Sequence, residues 1–417
     1  MNLRQSYGSL IFPLLFVSSL PCRADILVVN AEGTGQYPNI RAAVEAAVDG
    51  DEIHLVAGTY MGLDNQDISY HGKAITIRSQ SGNHDDVEIM PNGTAFIFEN
   101  GEGQDSRLEA ITIRLAEQAV RIRLASPTIK DCLFIAIING AIDSLYGSPT
   151  IESCGFLEGI STLGPAAIRA TNNGKPLIVD CYFSQNQNIG GLGGSILIES
   201  GTVRGCSISS SYAREGGGIA ISGFATIEDC SIQGESADIG GGIEILGGYG
   251  LIRRCEVRGT SGTTGGAIAA LFGDPSIENC QLTGTAALYG DAIYFGGNRL
   301  TVANTIIINC GGTCLGCGPV HLRSGSKIDV RCSDVFGNDS GNWVGALDGL
   351  LGEGGNIEAD PIFCDPDNGN YHLYSNSPCA PGNSNSDGCG LIGAYGVGCG
   401  PSSVEAKSWG RIKGMYR

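Results

Sequence analysis

Long apolar runs are missing from this chain outside its first two dozen residues. The one candidate, Leu10 to Leu20, falls short of the ~18–20 apolar residues that a membrane-spanning helix needs, so no segment is read as a transmembrane span. Proline is scarce, 15 of 417 residues. Glycine is abundant at 65 but follows no Gly-X-Y period, which excludes a collagen-like rod. Basic residues are outnumbered, 25 against 43 acidic, and the formal charge is −18. That balance makes nucleic acid and anionic membrane surfaces poor partners and is otherwise explained by solubility. An apolar content of 42% is too high for a disordered chain. What remains is glycine-rich turns separating short Val/Ile/Leu runs, the composition of an all-β array.

The first 24 residues read as a signal peptide. Arg4 supplies a basic start, Leu10 to Leu20 the apolar stretch, and Cys22-Arg23-Ala24 small residues at the third and first positions before the cut. Cleavage after Ala24 removes Arg4 and Arg23 and predicts a secreted or cell-surface protein of charge about −20. Pro21 directly before Cys22 does not fit a lipoprotein signal.

Beyond it the chain repeats. Cysteines stand at 132, 154, 181, 206, 230, 255 and 280, separated by 22 to 27 residues. Each closes one pattern, seen in Pro127 to Cys132, Pro149 to Cys154 and Thr226 to Cys230. The pattern continues without cysteine at Leu300 to Thr305, resumes at Cys332, and is preceded by a degenerate turn around Ala110. A second motif lies between the cysteines: Ile142, Ile168, Ile196, Ile219, Ile243, Ile268, Ile293 and Val320 each alternate with variable residues, the period of a strand with one buried face. About ten turns of roughly 25 residues follow from this spacing.

Each turn has a readable shape. Cys230 and Ile232 share a strand face, but Ile227 lies three residues from Cys230, so one straight strand cannot bury all three. A corner at Glu228-Asp229 resolves this. The second corner residue through the stack is Asp131, Ser153, Asp180, Gly205, Asp229, Arg254, Asn279 and Asn304, chiefly types that tolerate left-handed backbone. Three strands per turn result: the isoleucine strand, a short second strand, a corner, then the cysteine strand, with a glycine-rich loop closing the turn. Stacked at about 4.8 Å, the turns line up like residues in columns. The cysteine column reads as a packed ladder of thiols, with disulfides between turns as the rival. Zinc is disfavoured because no histidine joins the column.

The turn pattern resembles the pectin-lyase-like superfamily, specifically secreted bacterial right-handed parallel β-helix repeat proteins. Gly33 to Tyr60 is similar to that family's N-terminal cap. Read physically, Ile40 to Val48 is an amphipathic helix with Asn39 as N-cap and Gly50 as stop, plugging the apolar core before a strand that starts at Ile53. Asp360 to Pro378 and Gly390 to Tyr395 resemble the family's C-terminal ending. The expected fold class is therefore all-β, a right-handed parallel β-helix solenoid over 25–400, with a short N-terminal capping helix. The N-terminal cap is placed at about 33–60, the core turns at 61–345 and the C-terminal cap at 346–400. The resemblance is specific for fold, because the superfamily hosts several chemistries and non-catalytic members.

The resemblance implies that an enzyme of this fold would work on polysaccharides in a groove along the strand face that here carries the isoleucines, so the candidates stand in its outward column. It runs Asp143, Arg169, Leu197, Ala220, Glu244, Ala269, Tyr294, His321; one step further out lie Leu145, Glu199, Ser222, Leu246, Leu271 and Arg323. A lyase needs a base and a way to neutralise a uronate carboxylate, and a hydrolase needs paired carboxylates at ~5–9.5 Å. Asp143 beside Arg169 is an opposite-charge pair that a salt bridge explains equally well. Glu244 is flanked by alanines. Tyr294 beside His321 is the best sugar-stacking or acid/base pair. Asp143, Arg169, Glu244, Tyr294 and His321 are thus the catalytic candidates, and Glu199, Tyr294 and Arg323 the ligand-binding ones. No Gly-His-Gly occurs, and the one Asp-Asp, Asp85-Asp86, lies in a loop. The leading expectation is a non-catalytic β-helix presenting an elongated face to a glycan or other surface partner. The alternative is a lyase or hydrolase of an acidic polysaccharide with an atypical site, and the third a structural stalk. No cofactor is called for, and no motif indicates Ca2+.

Cys310, Cys314 and Cys317 cluster in a glycine-rich loop, where a local disulfide between Cys314 and Cys317 is expected over redox or metal chemistry. Cys364, Cys379, Cys389 and Cys399 sit among turn residues and are candidates for disulfides of unassigned pairing. The basic tail 401–417, with Arg411, Lys413 and Arg417, is either a sorting or attachment signal or a disordered terminus.

Overall fold

A computed structural model describes residues 24–312, 318–383 and 388–400. The residues up to Arg23, where the signal peptide is expected, Cys314 and Cys317, and the basic tail lie outside the described residues. The chain winds into an all-β solenoid whose strands form sheets of 22, 12, six and three strands. The coil is a right-handed parallel β-helix. The isoleucine strand and the short second strand of each turn both belong to the 22-stranded sheet, and in two turns they fuse, as Ile196–Arg204 and Ile219–Glu228. The cysteine strands make the 12-stranded sheet.

Registers follow the sequence columns. Ile142, Ile168, Ile196, Ile219, Ile243, Ile268, Ile293 and Val320 are successive partners. Each is fully buried. A second column runs Ile227, Ile252, Ile277, Val302 and Val330. On the cysteine strands Phe134, Phe156 and Phe183 stack with ring centroids 4.9 and 4.8 Å apart, repeating the spacing of the turns. Every corner residue named from the sequence adopts left-handed backbone, from φ 49° at Asn279 to φ 64° at Gly205. A one-residue break of this hand lets Ile227 and Cys230 face the same interior.

Cys132, Cys154, Cys181, Cys206, Cys230, Cys255 and Cys280 are buried free thiols, and the ladder contains no disulfide. Each thiol donates to the carbonyl two residues before it, as Cys230 Sγ does to Glu228 O at 3.2 Å. Where cysteine stops, Thr305 and Ser333 make the same bond, to Ala303 O at 3.0 Å and Arg331 O at 2.9 Å.

Several expectations are corrected. Cys332 does not resume the ladder. Ser333 takes that position, while Cys332 is the left-handed corner residue (φ 47°) and is disulfide-bonded to Cys389. Cys379 forms no disulfide; it is a buried thiol 3.2 Å from Asp334 Oδ2. Cys364 pairs with Cys399. Cys310, read as part of the loop cluster, is a buried thiol against Thr285 Oγ1 at 3.2 Å. The turns number more than ten, since the 12-stranded sheet begins at Gly58–Met61. There Val87 and Ile111 occupy the cysteine position, so the marker disappears while burial is kept. The middle turns also carry a fourth strand, in the six-stranded sheet from Ile160–Ser161 to Ala286–Tyr289. Its inward residues are small or polar, such as Asn188, Ala213 and Ala237, so no apolar alternation announced it.

The ends differ as well. The helix is Ile40–Ala46, with Asn39 accepting from Ala42 N at 2.8 Å, and it buries Ile40, Ala43 and Val44. It stops before Val48, where Ala47 turns to extended backbone and Asp51 Oδ2 accepts from Val48 N, and Lys73 Nζ satisfies the end carbonyls of Val44 and Glu45. A strand, Ile26–Val29, precedes the helix and pairs with Glu52–Leu55. At the other end Trp343 and Leu347 join the main core. The chain from Ile357 on then doubles back as a strap along the outside of the 12-stranded sheet. There Leu373, Cys379, Ala380 and Ile392 cover Ile306, Ile308 and Phe336. Asn279 Nδ2 donates to Leu391 O at 2.9 Å, and Tyr395 OH lies 3.1 Å from Glu256 Oε2.

Candidate functional site

The outward column of the isoleucine strands is a register column: Arg121, Asp143, Arg169, Leu197, Ala220, Glu244, Ala269, Tyr294, His321. Strand alternation points all of these away from the core. The column reaches further back than the sequence reading placed it, through Arg121 to Ile97 and Ser69. Arg123, two residues along the strand from Arg121, bends back to the same carboxylate. Asp143 is only 3% exposed. Arg123 Nη2 approaches its Oδ2 at 2.5 Å and Arg169 Nε its Oδ1 at 2.6 Å. Arg123 Nη1 also donates to Asp143 O at 2.9 Å. Burial pushes the Asp143 carboxyl up, but the hydrogen bonds from Arg169 and Arg123, with their charges, outweigh it and hold the group below the usual range. Arg121 Nε is 2.7 Å from Glu99.

Arg121, Asp143 and Arg169 line a groove of about 340 Å³, with Thr94, Glu117, Gln118 and Asn139 on its walls. Arg121 and Arg169 each commit only Nε to a neighbouring acid, leaving planar forks of N–H donors on the groove. Sequence reasoning found Asp143 and Arg169 and missed Arg121 and Arg123. The available signal was the alternation in Gln118–Arg123, which continues the isoleucine column without a cysteine motif close before it.

The other candidates lie elsewhere. Glu244 is 0% exposed, with neither oxygen hydrogen-bonded. Burial, with the Glu215 charge adding, pushes its carboxyl to about 8. Glu199 Oε2 accepts from the backbone N–H of Asn172 at 2.5 Å and Asn173 at 3.3 Å, where it holds the preceding turn. Tyr294 and His321 stack at 5.5 Å and 11°, with Tyr289 5.8 Å from the same imidazole. Tyr294 stands five turns from Arg169, roughly 24 Å at ~4.8 Å per turn. Arg323 is exposed and in no ion pair among the described residues. The structure thus unites Asp143 with Arg169, and Tyr294 with His321, places Arg323 two residues beyond His321 on the same outward side, and leaves Glu199 and Glu244 apart from both pairs. Among the described residues no three His, Cys, Asp or Glu side chains are grouped to hold a metal ion. No helix among them is long and apolar enough to cross a membrane.

A family model described as a right handed beta helix region matches residues 194–349. The solved alginate lyase AlyF-OU02, in complex with G6, superposes with a TM-score of 0.54 at 14% identity, over 92% of this chain and 96% of that one. This chain has the pectin-lyase-like β-helix fold. A mutant of the PL6 family alginate lyase AlyGC is similar too, with a TM-score of 0.51 at 15% identity. That likeness covers 91% of this chain and 59% of the lyase, so the chain spans about three fifths of that protein's length. Identities this low establish the shared β-helix and no shared chemistry. No curated protein matches the chain in sequence.

Proposed function

We propose that this is a secreted or cell-surface β-helix that binds a polysaccharide along the outward face of its largest sheet without cleaving it. The dispersal of the candidate groups carries this reading. Acid/base chemistry on a sugar needs a proton carrier and a charge-neutralising group within one subsite. Asp143 is locked by two arginines and held ionised with both oxygens engaged. Glu244 is walled in. Tyr294 and His321 stand some five turns from Arg169. The groove, in contrast, offers what recognition requires: fixed guanidinium forks beside Gln118, Asn139 and Thr94. Two disulfides fit an oxidising compartment and with it the signal-like N-terminus.

Affinity electrophoresis of the mature protein against a polysaccharide panel tests the proposal. Retardation by at least one polysaccharide, weakened about tenfold or more in Arg169→Ala and without release of new chain ends, is the expected outcome. Unsaturated or new reducing ends would instead identify a lyase or hydrolase. No retardation by any polysaccharide would overturn glycan binding.

A further inference from the structure

Two turns beyond the groove, a pair of exposed aromatic rings stands that neither the fold nor the core uses. Phe224 belongs to the strand Ile219–Glu228, and alternation puts it on the same outward face as Ala220 and Ser222. In the next turn Tyr249 stands beside it, because Thr226 is in register with Leu251. The two rings are 5.6 Å apart and inclined by 27°. They are 62% and 60% exposed, and Phe272 in the following turn is 58% exposed. The turns carrying them are pressed together. A Cβ on Gly248 would sit 2.2 Å from Gly223 O, and one on Gly273 2.0 Å from Gly248 O. The rings therefore stand on a backbone spine too tight for other side chains. Adjacent exposed aromatics of this kind mark interaction sites rather than core that failed to close.

The charge of the groove limits what could lie there. Arg121 is paired with Glu99, and Arg123 and Arg169 share Asp143. Glu117, on the same groove wall, matches the charge left over. No uncompensated positive charge remains for a polyanion, in a chain whose overall charge is −18. Guanidinium donors already balanced by acids suit hydroxyl groups, and exposed aromatic faces suit the C–H faces of sugar rings. Phe224 lies two steps of register beyond Arg169 and four residues further along the strand, roughly 10 Å by 13 Å at ~4.8 Å per turn and ~3.3 Å per residue. The period of the turns is of the same order as one sugar residue in an extended chain. Ala220, which continues the Arg169 column into the Phe224 turn, is fully buried, so one polysaccharide meets both features by crossing the face obliquely, past Glu199 and Ser222, over a diagonal of roughly 16 Å.

On the reading of this face as a glycan-binding surface, we infer that the ligand is a neutral polysaccharide, stacked on Phe224 and Tyr249 and hydrogen-bonded in the Arg121–Arg169 groove. The test is affinity electrophoresis of the full mature chain in gels containing hydroxyethylcellulose, arabinoxylan or galactomannan, and in parallel alginate or polygalacturonate. The proteins compared are the wild type, the double variant Phe224→Ala/Tyr249→Ala, and the conservative pair Phe224→Tyr/Tyr249→Phe. Retardation by a neutral polysaccharide is expected, weakened about tenfold or more by the alanines and kept by the conservative pair, with identical thermal melts. Retardation only by alginate or polygalacturonate would overturn the neutral ligand while leaving glycan binding intact. Neutral binding unaffected by the alanine pair would overturn the role of the rings. Failure of every polysaccharide would overturn both this inference and the glycan reading on which it rests.

Discussion

Glu244 shows what one residue can do in a repetitive wall. Its neighbours in the column are Ala220 and Ala269, and its carboxyl is enclosed without a hydrogen-bond partner. Burial raises its pKa to about 8, against an unfolded value of about 4.3. Between those values the folded chain binds more protons than the unfolded one. The contribution of Glu244 to stability is thus largest below about pH 4 and is lost as pH rises towards 8 and beyond. Glu235 and Asp334, also raised to about 8 by burial, act in the same direction. Glu244→Gln isolates one of them. Urea unfolding of variant and wild type should agree near pH 4 and differ at pH 9, with the variant more stable by about 1–3 kcal/mol. An equal difference at both pH values would show that the carboxyl is not the cause. The same scale holds the clearest contrast in legibility. Asp143 was visible as an opposite-charge neighbour of Arg169, but its second arginine, Arg123, reaches it only by bending back across a turn. No linear pattern encodes that bend.

At the scale of elements, what a strand buries decides what can be read. The isoleucine and cysteine strands announce themselves through buried columns. The fourth strand, lined by Asn188, Ala213 and Ala237, does not. Corners were legible because left-handed backbone restricts residue type, as Asp131, Asp180 and Asn279 show. A matching series closes the cysteine strands, among them Ala136, Glu158, Gln185 and Ser210, all with φ between 53° and 57°. In the later turns the same corner is Gly234, Gly259, Gly284, Asn309 and Gly337, a Gly/Asn column that carries the signature, whereas the earlier turns with Ala136, Glu158, Gln185 and Ser210 do not show it. Close stacking of the turns yields a controlled comparison. Gly248 has φ 78° and no room for a Cβ, whereas a Cβ on its neighbour Gly247 meets nothing within 4 Å. Gly248→Ala should cost about 3 kcal/mol, and Gly247→Ala less than about 0.5 kcal/mol, in chemical denaturation. Equal costs would mean that the glycine spine is not a packing constraint.

For the molecule as a whole, the C-terminal strap is, among the described residues, the long excursion from nearest-neighbour stacking. Cys332–Cys389 ties it back across 57 residues and Cys364–Cys399 closes its three-stranded sheet. Such crosslinks stabilise by about 2–4 kcal/mol, mainly by restricting the released chain. Under reduction the strap should detach before the solenoid unfolds, because the turns beneath it keep their own stacking. Chymotrypsin should then cut at Phe363, Tyr371 or Tyr374 and leave a folded solenoid fragment with its ladder thiols still unreactive. Resistance to cleavage after complete reduction would show that apolar contact with Ile306, Ile308 and Phe336 suffices without the disulfides. The Ile306-Ile307-Ile308 run was a sequence sign that both faces of that strand are covered. What covers the outer face could not be read from it.

The sequence by itself determined the coil, its in-register isoleucine columns, the left-handed Asp/Asn/Gly corner and the thiol ladder's place, because each follows from contacts one repeat apart. Only the tertiary structure decided that Cys332 leaves the ladder for Cys389, that the C-terminus straps the side of the solenoid, and that Asp143 is held by two arginines. It alone set the rings of Phe224 and Tyr249 side by side, exposed on the outside of the coil. Those outcomes depend on side-chain direction and on contacts between residues with no shared period, and a repeating pattern carries no information about either.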